Sequence, residues 1–453
     1  MHVGNNRGGI QRPIGRIWGE VKSPLYRNAL FLMINSAAGS ALGFVFWVIM
    51  YRVYDLNDIG FAVALFSTVS FVSSLALLGY NVSLVRYLPE AEDQVGLINA
   101  SLTLVGSFAI LLGFAYILVI AVFNLGLAFV LANPVYIAGI VLGAVGVGMG
   151  TVYDAVVLAL RRADLGLWRG VSMALLKIPI ALGIAYTLSQ PFGVGRLGVF
   201  LALVLATGAS VLIEGLWLLP RVLPAYRVRP RFHFSPLRRM FHFSAGNYAA
   251  AVVGAAGATL LTPMILVIKG AGAVSYFYAA SAVAGLLSVI PGAAFSSFFA
   301  EASQKASNKV DRHRDERRAL LLAIVLLAPA IVAMLVFAPF LLFLFGGSSD
   351  YSVHATAVLQ ILVFAAIPGL LGNVLVTRVR IRRRSLPLIV GSSIATVVNL
   401  GLGYAWLQSS GINGLASATV LGSIAPLPYY WYVARMSFQQ EPKEPLDTTP
   451  IQP

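Results

Sequence analysis

Polar and apolar positions do not alternate along this chain. Apolar runs of about twenty residues recur between residues 29 and 436, separated by short polar connections. As a helix, each run can cross a hydrocarbon core of about 30 Å. The runs predict helices over 29–51, 60–79, 97–121, 134–158, 170–189 and 198–219, then 244–268, 275–298, 319–345, 355–376, 386–408 and 412–436. A transmembrane barrel would need short alternating segments, and these are not that. Gly and Pro inside the runs suit membrane helices, whose neighbours satisfy the freed backbone groups.

Composition sharpens the reading. Of 453 residues, 58% are hydrophobic and only 11% are charged. A water-facing exterior needs more polar surface than that, so lipid is the expected solvent. There is no cysteine, which excludes disulfides, thiolate nucleophiles and Cys-based metal sites. His2, His233, His242, His313 and His354 form no ligand spacing, so no metal or other cofactor is expected. The first 28 residues are polar and basic and do not read as a cleaved signal peptide.

The net charge of +15 raises nucleic acid as a partner, and its distribution argues against it. With a cytoplasmic N-terminus and twelve helices, 28 of the 32 Lys and Arg residues fall on the cytoplasmic side. Arg52, Arg196 and Lys269 fall on the outer side, and Lys177 lies within a helix. That asymmetry is the positive-inside rule, and it places both termini in the cytoplasm of an inner-membrane protein. The basic run from Arg378 to Arg384 then reads as a loop resting on anionic headgroups. Trp47 and Trp406 fall at outer helix ends, and Trp168, Trp217 and Trp431 at inner ones, as interfacial belts.

The expected organisation is a basic segment 1–28, an N-lobe 29–219, a basic cytoplasmic linker 220–243, a C-lobe 244–436 and a disordered tail 437–453. The linker carries six arginines. The segment from Ala37 echoes the segment from Ala255, each a small-residue helix opening, an apolar run, a short turn and a second helix rich in small residues. Two six-helix, pseudo-symmetric lobes around a central cavity are the expected all-α architecture.

Candidate chemistry is sparse. The outer connections are too short to build an enzyme site, and there is no nucleotide-binding loop, so the chain reads as no enzyme and no ATPase. Charges inside the membrane are functional candidates: Asp154, Lys177 and Glu214 fall at similar depth in the fourth, fifth and sixth helices. They suit an ion-sensitive cluster, or a self-neutralising ion-pair network with Lys177 reaching for the interface, and two acids with one base favour internal pairing. An anionic headgroup would find cations at Arg52, Arg86, Lys177 and Lys269. Arg52 and Arg86 also fit ordinary interface residues. Asn35, Asn247 and Asn399 lie within helices, and serine stripes (Ser67, Ser70, Ser74; Ser281, Ser288) suit either a hydroxyl-lined cavity or close helix packing. The Gly39–Gly43, Gly139–Gly143 and Gly146–Gly150 pairs read as packing surfaces. Pro263, Pro291, Pro329 and Pro368 are expected to break helices of the second half.

The segment NALFLMINSAAGSALGFVFWVIMYRVYDLNDIG, followed by LALLGYNVSLVRYLPE, resembles the start of the polysaccharide-biosynthesis flippases of the O-antigen repeat-unit type. These belong to the superfamily that also holds multidrug and toxin extruders. TVYDAVVLALRRADLGLWRG, FSAGNYAAAV and FFAEAS continue the resemblance, with Asp154, Asn247 and Glu301 in matching places. It implies two lobes, alternating access and a polyprenyl-pyrophosphate-linked oligosaccharide as cargo, moved from the cytoplasmic to the outer leaflet. Cargo contacts are then expected at Arg52, Arg86, Lys177, Lys269, Asn35 and Asn247, and coupling at Asp154, Glu214 and Glu301. Membrane lipids are expected partners, as are glycosyltransferases or a polymerase of the same pathway. The alternatives are a cation-coupled multidrug or metabolite antiporter, and a membrane scaffold for glycan-synthesis enzymes.

Overall fold

Over the described residues, each of the twelve apolar runs coincides with a helix or a broken pair of helices. The computed structural model describes residues 24–123, 127–188, 195–231, 234–288, 309–381 and 386–436. Helix α1 is Pro24–Val53, and α2 is Leu56–Ala76 resumed as Tyr80–Tyr87. Then come α3 (Gln94–Phe123), α4 (Pro134–Ala159) and α5 (Ala163–Leu188). Helix α6 (Gly195–Ile213) passes into a π-helical turn, Glu214–Leu218, and a 3₁₀ turn, Leu219–Arg221. In the second half α7 is Phe234–Thr259 with Leu261–Lys269, α8 is Ala271–Gly285, α9 is Lys309–Val336 with Ala338–Gly346, and α10 is Ser349–Val363 with Ala366–Ile381. The helix Leu386–Ile424 is broken at Gly411 and, with Leu427–Met436, supplies α11 (386–410) and α12 (412–436). No strand occurs among the described residues.

Among the described residues, nine stretches are long and apolar enough to cross a membrane, and ten when the two pieces of α9, bent by 76°, count as one span. One of the nine, Leu386–Arg435, is 50 residues long. At 1.5 Å per residue that is about 75 Å, enough for two crossings divided at Gly411. Ala38–Val53 is the shorter apolar part of α1. The chain is a multi-pass membrane protein.

Local chemistry explains the ends and breaks. Asn133 caps α4 by accepting from the Val135 N–H at 2.9 Å, with Pro134 in the first turn, where no donor is missed. Gly270 separates α7 from α8 at φ 85°, a conformation that L side chains rarely adopt. The breaks differ in part from the proline expectation. Pro329 lies inside a continuous helix, and the sharp bend of α9 falls at Phe337, just before Pro339. Pro263 and Pro368 sit in the first turns of resumed helices. Pro291 lies outside the described residues.

Helices α1–α6 pack on one another, as do α7–α12, and the two lobes meet mainly through α1 and α2 against α7, α8 and the second piece of α9. Within the N-lobe, α4 lies tightly on α6. A methyl group added at Gly139 would sit 2.5 Å from the Phe200 ring, and one at Gly143 3.1 Å from Val204 and Val69. Those glycines are the expected packing surface. Gly39 and Gly43 depart from the expectation: a methyl group there would meet nothing within 4 Å among the described residues. Among the described residues nothing packs on that stripe of α1.

Candidate functional site

The lobes touch at both ends of the helices, in different ways. One end carries the linker residues 222–231 and is called the linker face below; the other, holding the α1–α2 and α7–α8 turns, is the far face.

At the far face the seam is aromatic. Tyr51, near the end of α1, places its ring 5.0 Å from Phe345 of α9 and 5.0 Å from Tyr351 of α10. Trp47 meets Tyr278 of α8 at 4.7 Å, and Tyr276 stacks on His354. The Tyr51 hydroxyl donates to the Ser275 carbonyl at 3.0 Å, crossing from one lobe to the other. Arg52 donates to the Leu344 carbonyl at 2.6 Å, a second crossing. Gly60 of α2 lies against the Ala271 backbone, so close that no side chain fits between them. Edge-on aromatic contacts of this kind add about 0.5–1.5 kcal/mol each beyond burial.

Beneath this seam the lobes part. A cleft of about 210 Å³ opens between α1 and α8, lined by Ser40, Phe44, Trp47, Ala282, Gly285, Leu286 and Ser288. Trp47 forms both its roof and part of the seam.

At the linker face the lobes join where α2 breaks. Gly79 has φ 79°, and a methyl group on it would lie 2.5 Å from the Ser244 hydroxyl of α7. Ser83 donates to the Met240 carbonyl at 2.8 Å, Tyr248 donates to the Leu75 carbonyl at 2.6 Å, and the Arg86 guanidinium lies 4.5 Å from the Phe243 ring centre. The linker itself lies on the N-lobe. Asn99 of α3 donates to the Arg227 carbonyl at 2.8 Å, and the Arg231 N–H donates to Thr103 at 3.0 Å. Tyr226 is fully buried, its hydroxyl 3.0 Å from that of Tyr153 in α4.

Beside Tyr153 stands an ionic cluster. The Arg169 guanidinium of α5 forks onto Asp154 of α4 through Nε and Nη2. The same Nε lies 2.9 Å from Glu214 Oε2, in the π-helical turn of α6. Glu214 is wholly buried, while Asp154 is half exposed. Neither Glu214 oxygen receives a well-directed hydrogen bond, because the fork of Arg169 is aligned on Asp154.

The base in this cluster is Arg169 rather than Lys177. Lys177 lies elsewhere on α5, with its ammonium 4.8 Å from the ring centre of Phe46. Arg52 and Lys269 spend donors on backbone carbonyls, Leu344 and Gln408 respectively. Asn35 abuts Gly170 of α5, and Asn247 is exposed on α7. Asn399 donates to the Gly257 carbonyl and accepts from Thr419, joining α7, α11 and α12. Glu301 lies outside the described residues. Ser70 and Ser74 bond carbonyls of their own helix. No group of three His, Cys, Asp or Glu residues that could hold a metal occurs among the described residues. Sequence reading passed over Arg169, Tyr51, Tyr153 and Tyr226.

The described residues thus form two helical lobes that meet at both faces, with a cleft between α1 and α8. No protein-family model and no curated protein matches the sequence. Solved structures match by fold. The inward-facing conformation of a multidrug resistance MATE family transporter of the MOP superfamily is similar over 86% of this chain and 94% of that one, with TM-score 0.61 and 14% identity. The outward-facing conformation of such a transporter matches over 92% and 95%, with TM-score 0.61 and 16% identity. A MOP superfamily transporter from Pyrococcus furiosus, described for the reverse polarity of its binding pocket, matches over 92% and 95%, with TM-score 0.58 and 14% identity. At such identities the likeness establishes the fold, which is MATE-like, and those similar proteins are transporters.

Proposed function

We propose that this chain is an alternating-access transporter of a cell membrane, with both termini cytoplasmic, that moves a polyprenyl-pyrophosphate-linked oligosaccharide from the cytoplasmic to the outer leaflet. The observation that carries this reading is the cleft between α1 and α8. Phe44 and Trp47 offer ring faces to the C–H surface of a sugar, and Ser40 and Ser288 offer hydroxyls. The open stripe at Gly39 and Gly43 leaves room along α1 for a lipid chain. The basic linker face, taken as cytoplasmic, suits loading of an anionic headgroup and recruitment of glycosyltransferases or a polymerase. Arg52, Arg86, Lys177, Lys269, Asn35 and Asn247 are the proposed polar contacts along the route, and Asp154, Glu214 and Glu301 the proposed coupling residues. Similar folds solved in inward-facing and outward-facing conformations support alternation. The Pyrococcus furiosus protein of similar fold is described as having a binding pocket of reverse polarity that suggests a different function, which supports a cargo other than a multidrug transporter's.

A second reading, a cation-coupled multidrug antiporter, is favoured by the likeness to multidrug transporters and by the carboxylates Asp154 and Glu214. The two separate in vesicles from a deletion strain. A flippase leaves an oligosaccharide-lipid on the cytoplasmic leaflet when deleted; wild type clears it, and Trp47→Ala or Phe44→Ala does not. Unchanged saccharide pools with raised sensitivity to lipophilic cations would instead establish the antiporter.

A further inference from the structure

The geometry around Glu214 calls for a ligand that the N-lobe alone does not supply. Its carboxyl group is wholly buried, its Oε1 has no partner, and the nearest cation, Arg169, aims its fork at Asp154. A buried carboxylate in that position would be a charge without directed donors, an arrangement folded proteins avoid. A neutral carboxylic acid removes the conflict. It also leaves Arg169 and Asp154 as a balanced pair. A metal cation is a poor substitute, since the guanidinium already occupies the space between the two acids and would repel it. The π-helical turn that begins at Glu214 is a helix defect of the sort found at functional positions.

Four ionisable groups face this acid: Arg169 from α5, Asp154 and Tyr153 from α4, and Tyr226 from the linker. Tyr153 is the hinge of the arrangement. Its hydroxyl abuts Gly215, the residue after Glu214, and is bonded to Tyr226 at 3.0 Å. Tyr226 in turn is the one wholly buried aromatic of the linker strap.

We propose that Glu214 is a proton-binding site, occupied in the present conformation, and that loss of the proton draws the Tyr153 hydroxyl from Tyr226 to the carboxylate and releases the linker strap from the N-lobe. The proton leaves Glu214 O–H for water, Arg169 and Asp154 remain paired, and the O–H of Tyr153 then donates to the ionised Glu214. Occupancy of one acid in the N-lobe thereby sets the freedom of the segment that joins the lobes. This inference stands whatever cargo the cleft carries.

The test uses the full chain in lipid nanodiscs, without cargo. Infrared spectra in H₂O and D₂O follow the carbonyl stretch of neutral carboxylic acid from mildly acidic to mildly alkaline pH. The band is expected in wild type at neutral pH, absent in Glu214→Gln and weakened in Asp154→Asn, where Arg169 is left to pair with Glu214. Its absence from wild type, or its persistence in Glu214→Gln, overturns the proton site. The chain has no cysteine, so a nitroxide on Val228→Cys, an exposed strap position, reports the strap alone. Its mobility is expected to rise with pH in step with loss of the band, and to be independent of pH in Glu214→Gln and in Tyr153→Phe. A pH-dependent mobility that survives Tyr153→Phe overturns the strap mechanism, and this variant keeps the test decisive where Glu214→Gln does not fold.

Discussion

Phenylalanine in place of Tyr51 removes one hydroxyl and leaves its ring among Phe345, Tyr351 and Trp47. What is lost is the buried bond to the Ser275 carbonyl, which joins the lobes across the far face. Ser275 lies inside α8 and keeps its helical partner, so the loss is a second acceptor interaction and not an orphaned carbonyl. The expected cost is about 1–2 kcal/mol, borne only by the conformation sealed at that face. At about 1.4 kcal/mol per tenfold, the sealed-to-open equilibrium should shift roughly 5- to 30-fold. A chain that is about 1% open would then become roughly 5–25% open. Spin labels on Val135→Cys in α4 and Val353→Cys in α10 are both exposed and lie in different lobes, so their distance distribution reads the seal. Tyr51→Phe should add a longer-distance population, and Tyr404→Phe, an exposed tyrosine, should not. Identical distributions in wild type and Tyr51→Phe would refute the claim that this hydroxyl biases the equilibrium.

Four further outcomes follow. Gly79→Ala should lower thermal stability by about 1–3 kcal/mol, since its methyl group would meet Ser244 and its φ is positive; fluorescence-monitored melting in detergent checks it. Arg231→Ala should change melting by less than about 1 kcal/mol, because its pair with Asp93 is exposed on both sides. Tyr226→Ala should cost about 3–5 kcal/mol and expose the strap to limited proteolysis, whereas Tyr226→Phe keeps the ring packing but loses the hydroxyl bond and should loosen the strap at every pH. Lys177→Met should leave melting unchanged or raised and should reduce saccharide-lipid translocation in vesicles; unchanged translocation removes Lys177 from the proposed cargo route.

The helices were legible because lipid leaves the backbone no alternative, so apolar length alone identifies them. The site was less so, and Arg169 shows why. The polar stretch ADLGLWRG reads as a loop, which assigns Arg169 to the basic connections and leaves Lys177 as the apparent partner of the two acids. Helix α5 in fact starts at Ala163, with Asp164 bonded to Arg162 in its first turn. One and a half turns later Arg169 is on the helix, facing Asp154. A tight three-residue turn joins α4 to α5 and starts the helix early. The linker misled in the same direction: PAYRVRPR looks like a solvated basic loop, yet its one aromatic is buried and its backbone is hydrogen-bonded to α3. Gly39–Gly43 erred the other way, since a small-residue pair has the same spelling whether a helix or an empty stripe lies beside it.

The docking of the strap also fixes the length of the leash between the lobes. From Arg231, the last strap residue bonded to α3, to Phe234 at the start of α7 is three steps of chain, about 10 Å when extended. From Arg221, where α6 ends, the same measure gives about 45 Å. A docked strap therefore allows the lobes to rock about a nearly fixed point at the linker face, and an undocked one permits them to draw apart there. The chain carries its own adjustable limit on how wide that face can gape.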